Sequence, residues 1–173
     1  INVDEEEILL TGPVMAIGFS YYGIGGRSIS PDNTLLAYGI DTVSRRRYSI
    51  YFKNLNTGEL LPDVLTNTSG GATWADDNKT VFYTKKDPVT LRTNKVYKHV
   101  LGTDQSEDVL VFEEKDETFG CGVFKSKSKK YIMTVSYHTL STEYSYIDAD
   151  NPNGNWTLVQ PREKDLLYYV DHF

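Results

Sequence analysis

The chain has 173 residues, of which 39% are hydrophobic and 24% charged, and its net charge at pH 7 is -6. This length suffices for a hydrophobic core, so we do not expect a disordered protein. The acidic balance argues against a nucleic-acid partner, because phosphate contacts need a basic surface. No apolar stretch approaches the roughly 20 residues of a membrane-spanning helix, so we expect no membrane partner. The 13 Tyr and 7 Phe favour β-sheet, where aromatic side chains pack well.

Short strands separated by polar turns occupy nearly the whole chain. Alternation of apolar and polar residues predicts strands at 26–30, 34–41, 48–55 and 59–65, then at 71–75, 80–87, 94–101 and 107–115, and then at 119–126, 131–139, 143–150 and 157–164. The third and fourth strands of each set are separated by residues typical of tight turns, which are Asn56-Thr57-Gly58, Gly102-Thr103-Asp104 and Asn151-Pro152-Asn153-Gly154. A last stretch at 166–170 is predicted as the first strand of a fourth set, and no long helix is predicted.

One segment pattern, a short strand, a polar turn and a stronger apolar strand, occurs three times, at 28–38, 73–83 and 123–133, with offsets of 45 and 50 residues. A period of about 40 to 50 residues with four short strands is typical of β-propeller blades. We therefore predict an all-β fold of about three consecutive four-stranded antiparallel blades, near 26–65, 71–115 and 119–164, with the start of a fourth at 166–173. The alternative is a pair of β-sandwich domains, which the nearly constant period makes less favourable.

The sequence contains no recognisable catalytic machinery. Neither Ser20 nor Ser28 has the flanking glycines of a G-x-S-x-G nucleophile turn. The three histidines lack the H-E-x-x-H spacing that places two metal ligands on one helix face, and we interpret them as ordinary surface or core residues: His99, His138 and His172. We interpret the single Cys121, between two glycines, as a small residue of an inner strand. We predict no catalytic residue, no metal and no cofactor.

An ordered series of segments resembles the propeller of one peptidase family. The series is Ser30-Pro31-Asp32-Asn33, Leu35-Leu36-Ala37-Tyr38, Asp41-Thr42-Val43-Ser44-Arg45-Arg46-Arg47-Tyr48, Asn54-Leu55-Asn56-Thr57-Gly58-Glu59, Trp74-Ala75-Asp76-Asp77-Asn78-Lys79-Thr80, Lys86-Asp87-Pro88-Val89-Thr90-Leu91 and Asp148-Ala149-Asp150-Asn151-Pro152. It is similar to the N-terminal propeller of the oligopeptidase B (protease II) branch of the prolyl oligopeptidase family of serine peptidases, over residues 21–173.

The resemblance implies a fold, a partner and an activity of the parent protein. It implies that residues 1–173 are part of an N-terminal, seven-bladed propeller domain that caps an α/β-hydrolase domain of the same parent chain. It also implies that short peptides pass to that domain and are cleaved after Arg or Lys. The catalytic triad would belong to the hydrolase domain, so we expect this chain alone to be inactive. The resemblance implies a cytoplasmic location, with a periplasmic one as the alternative. The other functional interpretation is a propeller that serves only as an interaction scaffold, with no hydrolase attached.

Arg45, Arg46 and Arg47 form the one local basic run before the lysines of residues 125–130. They are either a solvated connector between strands or an inter-domain contact, in which guanidinium groups pair bidentately with carboxylates of the partner domain. We further expect the isolated chain to self-associate, because an incomplete ring leaves blade faces and strand edges uncovered.

Overall fold

The computed structural model describes residues 7–173, and antiparallel strands dominate it. A four-residue helix α1 (Gly12–Met15) precedes the strands, and a 3-10 helix (Gln105–Glu107) lies between the sixth and seventh strands. The strands are β1 (Gly23–Ile29), β2 (Leu35–Asp41), β3 (Tyr48–Asn54), β4 (Leu60–Trp74), β5 (Thr80–Lys86), β6 (Thr93–Val100), β7 (Val109–Glu113), β8 (Gly120–Lys125), β9 (Tyr131–Tyr137), β10 (Thr142–Asp148) and β11 (Thr157–Gln160). The expected all-β fold of antiparallel blades is confirmed.

The strands form a seven-stranded sheet in the order β1 to β7 and a four-stranded sheet of β8 to β11. The long strand β4 belongs to two blades, because its first half pairs with β3 and its second half with β5. The first blade is thus β1, β2, β3 and residues 60–68; the second is residues 70–74 with β5, β6 and β7; the third is β8 to β11. The backbone bends between the two halves of β4, where Asn67 (φ 57°) and Gly70 (φ 96°) are left-handed.

The turn between the first two strands has the same conformation in all three blades. Its left-handed residue is Asn33, Asn78 or Lys129, with φ of 62°, 59° and 65°. In each blade the residue before the turn donates its backbone N–H to the carbonyl of the first residue of the second strand. In the first blade, Ser30 donates to the carbonyl of Leu35 at 2.9 Å. This equivalence gives offsets of 45 and 51 residues between successive blades. The recurring turn explains why the repeat is visible in the sequence.

The hydrophobic core lies between the blades. One cluster joins the first two blades and contains Ala37, Ile50, Phe52, Leu65, Trp74, Val81 and Tyr83; a second joins the second and third blades and contains Ala75, Phe82, Val96, Cys121, Ile132, Ile147 and Ala149. Successive residues of β5 therefore face opposite clusters, as the two-residue period of a strand requires. The blades are stacked face to face, each covering its neighbour.

The two outermost blade faces are covered by other parts of the chain. Leu9, Leu10 and Met15 pack on the outer face of β2. At the other end no strand is assigned in residues 166–173, but the segment lies along the third blade, where the Ser128 N–H donates to the carbonyl of His172 at 2.9 Å. The assignment of 166–173 to a fourth blade stays a prediction. Within residues 7–173, no helix has the length and apolarity needed to span a membrane.

Candidate functional site: the inner strands and the arginine loop

The first strands of the three blades lie side by side and form one wall. The Ser28 hydroxyl on β1 donates to the carbonyl of Ala72 on β4 at 2.6 Å, and the Trp74 indole N–H donates back to the carbonyl of Ser28 at 3.2 Å. The Thr73 hydroxyl on β4 donates to the carbonyl of Val123 on β8 at 3.3 Å. These inter-blade bonds define an inner wall made of β1, the end of β4 and β8, which is the side of the blades that faces the axis of a propeller.

Glycines allow the middle of β4 to approach β1 and β2 closely. A Cβ atom on Gly26 would lie 2.7 Å from the Cα of Gly71, and one on Gly39 would lie 2.3 Å from the carbonyl oxygen of Gly70. Larger residues there would push the first two blades apart. The glycines of residues 23–26 therefore belong to strand β1 and its packing.

The three arginines predicted as a contact lie in the loop between β2 and β3. The buried carboxylate of Asp41 shapes this loop: its Oδ1 accepts the N–H of Val43 at 2.9 Å, and its Oδ2 accepts the N–H of Arg46 at 2.7 Å. Arg46 is left-handed, with φ of 53°. Asp41 was not predicted as a site residue, although an Asp at a strand end before a polar loop is typical of a side chain that caps a turn.

The surroundings of this arginine loop are basic. Nη2 of Arg47 donates to the side-chain oxygen of Asn67 at 2.6 Å, and Nζ of Lys86 donates to the carbonyl of Arg46 at 2.7 Å. Burial lowers the pKa of Lys86, and the neighbouring charge of Arg46 lowers it further. In the part of the chain that the structure describes, none of the three arginines forms a salt bridge. Within residues 7–173 the three guanidinium groups thus have no carboxylate partner, and the carboxylate of Asp41 binds the loop backbone instead.

A buried polar network connects the first two blades and was not anticipated from the sequence. His99 on β6 is 1% exposed; its Nδ1 lies 2.6 Å from Oδ1 of Asp108 and its Nε2 lies 3.2 Å from Oδ1 of Asp63 on β4. The Tyr83 hydroxyl donates to Oδ2 of Asp108 at 2.6 Å, and burial, followed by this bond, raises the pKa of Tyr83. Both ring nitrogens face carboxylates rather than a nucleophile, so the arrangement fastens blades together and is not a catalytic triad.

A second polar cluster closes the joint between the second and third blades. Nη2 of Arg162 donates to Oε2 of Glu114 at 2.7 Å and to Oε1 of Glu143 at 3.3 Å, and its guanidinium carbon lies 4.2 Å from the centroid of Phe119. Nη1 of Arg92 donates to the carbonyl of Asp116 at 2.9 Å and also to the carbonyl of Phe119. Together these arginines hold the chain where it crosses from β7 to β8.

The remaining residues considered in the sequence are placed as structural ones. Burial raises the pKa of the Cys121 thiol to about 12, which removes the thiolate needed for reactivity. His138 is exposed, with its ring 5.3 Å from that of Phe119, and His172 has its ring 5.0 Å from that of Tyr131.

Comparison with known proteins relates the whole chain to one group of peptidases. A family model described as the prolyl oligopeptidase N-terminal beta-propeller domain matches residues 2–173. Dipeptidyl aminopeptidase BI of Pseudoxanthomonas mexicana is 46% identical over 167 residues, which cover 96% of this chain and 23% of that protein. Protease 2 of Moraxella lacunata is 36% identical over 170 residues, 97% of this chain and 24% of that protein. The chain therefore spans about a quarter of the length of the curated relatives that it matches.

Solved structures show the same relationship. The structure of oligopeptidase B from Leishmania major aligns with a TM-score of 0.91 and 29% identity, over 99% of this chain and 24% of the other. Oligopeptidase B from Trypanosoma brucei, solved in a closed form with covalently bound antipain, aligns with a TM-score of 0.86 and 30% identity, over 96% and 23% of the two chains. The fold of the chain is thus shared with larger peptidases.

Proposed function

Because the chain belongs to the prolyl oligopeptidase family, whose N-terminal β-propeller domain it matches over residues 2–173, we propose that it is part of a gating propeller. In its parent protein the propeller covers an α/β-hydrolase domain, admits short peptides and excludes folded proteins. The observation that carries this proposal is the inner wall: three first strands lie side by side, and within residues 7–173 β1 and β8 are edge strands that pair on one side only.

Substrate exclusion is tested on the full-length parent protein. We expect it to hydrolyse peptides of about ten residues that contain Arg or Lys, and to leave the same sequence uncut when it is placed in a loop of a stably folded protein. The unfolded form of that host protein, digested in parallel, shows whether the cleavage site itself is acceptable. Equal rates on the folded host and the free peptide would contradict a gating role.

We assign the arginine loop to the contact with the hydrolase domain. Its three guanidinium groups have no carboxylate partner within residues 7–173, and Asp41 holds the loop in a defined conformation, so the charges are preorganised for carboxylates of a partner. Charge reversal of Arg45, Arg46 and Arg47 in the full-length protein should open the two domains, measured as a larger radius of gyration, and lower kcat/KM for peptides. Asp41→Asn, which keeps all three charges, serves as the control for loop conformation. Unchanged closure and activity after charge reversal would contradict this assignment.

Cleavage after Arg or Lys by a serine nucleophile is part of the proposal for the parent protein. It is supported by the similarity to Protease 2 and to two oligopeptidases B. The parent reading frame should encode a Gly-rich turn around a Ser, followed by Asp and then His. An intact parent without these residues would favour the alternative, an interaction scaffold without peptidase activity. The cytoplasmic location also stays a prediction.

A second candidate activity is the release of dipeptides from amino termini. It is favoured by the relative with 46% identity, which is a dipeptidyl aminopeptidase by name. Peptides with a free and an acetylated amino terminus separate the two activities, because only the release of dipeptides needs the free amine. An endopeptidase would cleave both peptides at similar rates.

A further inference from the structure

A pocket lies at one end of the inner wall, on the opposite side of the blades from the arginine loop. It is lined by the last residues of β1, β4 and β8 and by the turns that follow them, and its volume is about 490 Å³. These turns precede the second strand of each blade, whereas the arginine loop follows the second strand of the first blade. We call this site the inner-strand pocket.

The side chains that line the inner-strand pocket include more lysines than carboxylates. Its lining contains Lys125, Lys127 and Lys129 but one carboxylate, Asp76, while the whole chain has a net charge of -6. Nζ of Lys125 lies 2.5 Å from Oδ1 of Asp76, which neutralises its charge. The side chain of Lys127 is 67% exposed and lies 3.9 Å from Asp171, a weak pair in water. Lys129 forms no salt bridge with any described residue. Nζ of Lys127 also lies 4.6 Å from the centroid of the Phe173 ring. Lys129 is therefore available for an anion, and Lys127 can join it by exchanging its weak, exposed pair with Asp171.

The backbone at Lys129 departs from the pattern of the other blades. The equivalent left-handed positions hold Asn33 and Asn78, and asparagine tolerates this conformation better than lysine does. Lys129 has φ of 65°, and its N–H donates to the carbonyl of Ser126 at 2.8 Å, which fixes the turn. The third blade thus places a charged side chain in the pocket lining at a turn position where the first two blades have asparagine.

The wall beside these lysines is apolar. Ile29 is 43% exposed, Phe124 is half-buried, and Trp74 lies behind them. A low-dielectric wall beside fixed charges strengthens their field and raises the local concentration of oppositely charged groups. The site therefore suits a carboxylate attached to a peptide that can also contact an apolar surface.

We propose that the inner-strand pocket binds a carboxylate of a peptide substrate through Lys127 and Lys129, and so favours peptides that carry a negative charge away from the cleaved bond. The carboxylate is either the peptide's own carboxyl terminus or an Asp or Glu side chain. This inference rests on the proposed function, because it takes the peptides of the gated enzyme as the ligands.

The experiment compares four peptides that share one cleavable bond, on the full-length parent protein. Each peptide ends in Asp or Asn, with a free or an amidated carboxyl terminus. At low ionic strength we expect kcat/KM to rise by about threefold to tenfold as the number of carboxylates on the peptide increases, because partly screened ion pairs contribute about this much. Near 0.5 M salt the preference should disappear, because salt screens these charges. The Asp-amide and Asn-acid peptides show which source of carboxylate the pocket binds.

Variants of the two lysines locate the effect. Lys127→Glu/Lys129→Glu should remove the preference for peptides that carry more carboxylates, measured relative to the uncharged peptide. Lys129→Asn restores the residue of the other two blades, so it should fold at least as well as the wild type and still weaken the preference. Lys95→Glu/Lys98→Glu on β6 changes the net charge equally and should keep the preference.

The outcomes for the pocket and for the proposed function are distinguishable. An unchanged preference in Lys127→Glu/Lys129→Glu, or an equal loss in the β6 control, would overturn the pocket. Peptide binding by fluorescence anisotropy is measured in parallel. If no peptide is hydrolysed, the proposed function is wrong, and the binding data still decide whether these lysines hold a carboxylate.

Discussion

Replacement of Arg162 by methionine tests the joint between the second and third blades. Methionine keeps much of the apolar stem but removes the charge and every hydrogen-bond donor. Glu114, which is 4% exposed, would lose its bond to Arg162 and keep the N–H of Asp116 at 2.9 Å. The variant therefore leaves a buried carboxylate with one partner fewer.

The magnitude follows from this burial. Removing one partner of a fully buried ion pair costs about 3–5 kcal/mol, and the 30% exposure of the Arg162 side chain lowers our expectation to about 2–3 kcal/mol. If the joint opens locally, this difference accelerates amide hydrogen exchange roughly 30- to 150-fold, because about 1.4 kcal/mol corresponds to a factor of ten.

The effect also depends on pH in a defined direction. Burial raises the pKa of Glu114, but bonds led by that from Arg162 outweigh it, and the pKa lies below its ordinary value of 4.5. A lowered pKa in the folded state means that the ion pair stabilises the joint fully above pH 4.5 and loses this contribution as the pH falls through the folded-state pKa. The difference between wild type and Arg162→Met should thus shrink in acid.

The assay is hydrogen exchange followed by mass spectrometry on the full-length protein, at pH 7 and pH 4, with correction for intrinsic rates. Peptides covering residues 114–120 and 157–163 report on the joint, and those covering β2 and β3 report on a distant part. Lys164→Met, an exposed change in the same loop, is the matched control. Exchange in Arg162→Met within threefold of the wild type at pH 7, or equal to that of the control, would refute the reasoning.

Four further predictions follow from other parts of the structure. His99→Gln leaves two buried carboxylates without their imidazole partner and should lower the free energy of unfolding in urea by about 3–5 kcal/mol. The control His138→Gln, at an exposed position, should change this free energy by less than about 0.5 kcal/mol. Similar effects of the two variants would contradict a structural role for the network. Gly39→Ala should destabilise the protein by about 1–3 kcal/mol because its Cβ meets backbone, and Gly71→Ala, which has open space, should be tolerated; the reverse order would show that the close approach is wrong. Cys121 should react with a thiol reagent at pH 8 more than about a hundredfold slower in the native than in the denatured protein, owing to its raised pKa; equal rates would contradict its burial. The isolated chain should form dimers or larger species in light scattering at about 100 μM, since the segments that cover the two outer blades expose large hydrophobic side chains such as Ile17 and Phe173, and a clean monomer would count against this.

Strand positions could be predicted because local residues mark the turns. Asn33 and Asn78 adopt the left-handed conformation that short polar side chains tolerate, and apolar alternation resumes directly after each turn. The continuity of β4 could not be predicted in the same way. Residues 66–71 have the composition of a loop, and the sequence indicated two separate strands at 59–65 and 71–75. The structure keeps both halves in one strand because each half finds its own pairing partner.

The polar contacts of the candidate site were beyond prediction for a different reason. Asp63 and His99 are 36 residues apart, and Glu114 and Arg162 are 48 apart, so no local pattern indicates that they meet. The arginine loop was identified as a run of charge, but its conformation depends on Asp41 and its neighbour Lys86, which the fold supplies.

The joints between blades differ from the blades themselves in what holds them. Within a blade, ladder hydrogen bonds and apolar alternation are repeated three times and are redundant. Between blades, each joint has its own polar fastening: the His99 network for the first two blades, and Arg92 with Arg162 for the next two. Buried polar contacts of this kind add little net stability but strongly penalise any geometry in which they are unpaired. They therefore oppose changes in the angle between neighbouring blades, and with it changes in the spacing of the inner strands.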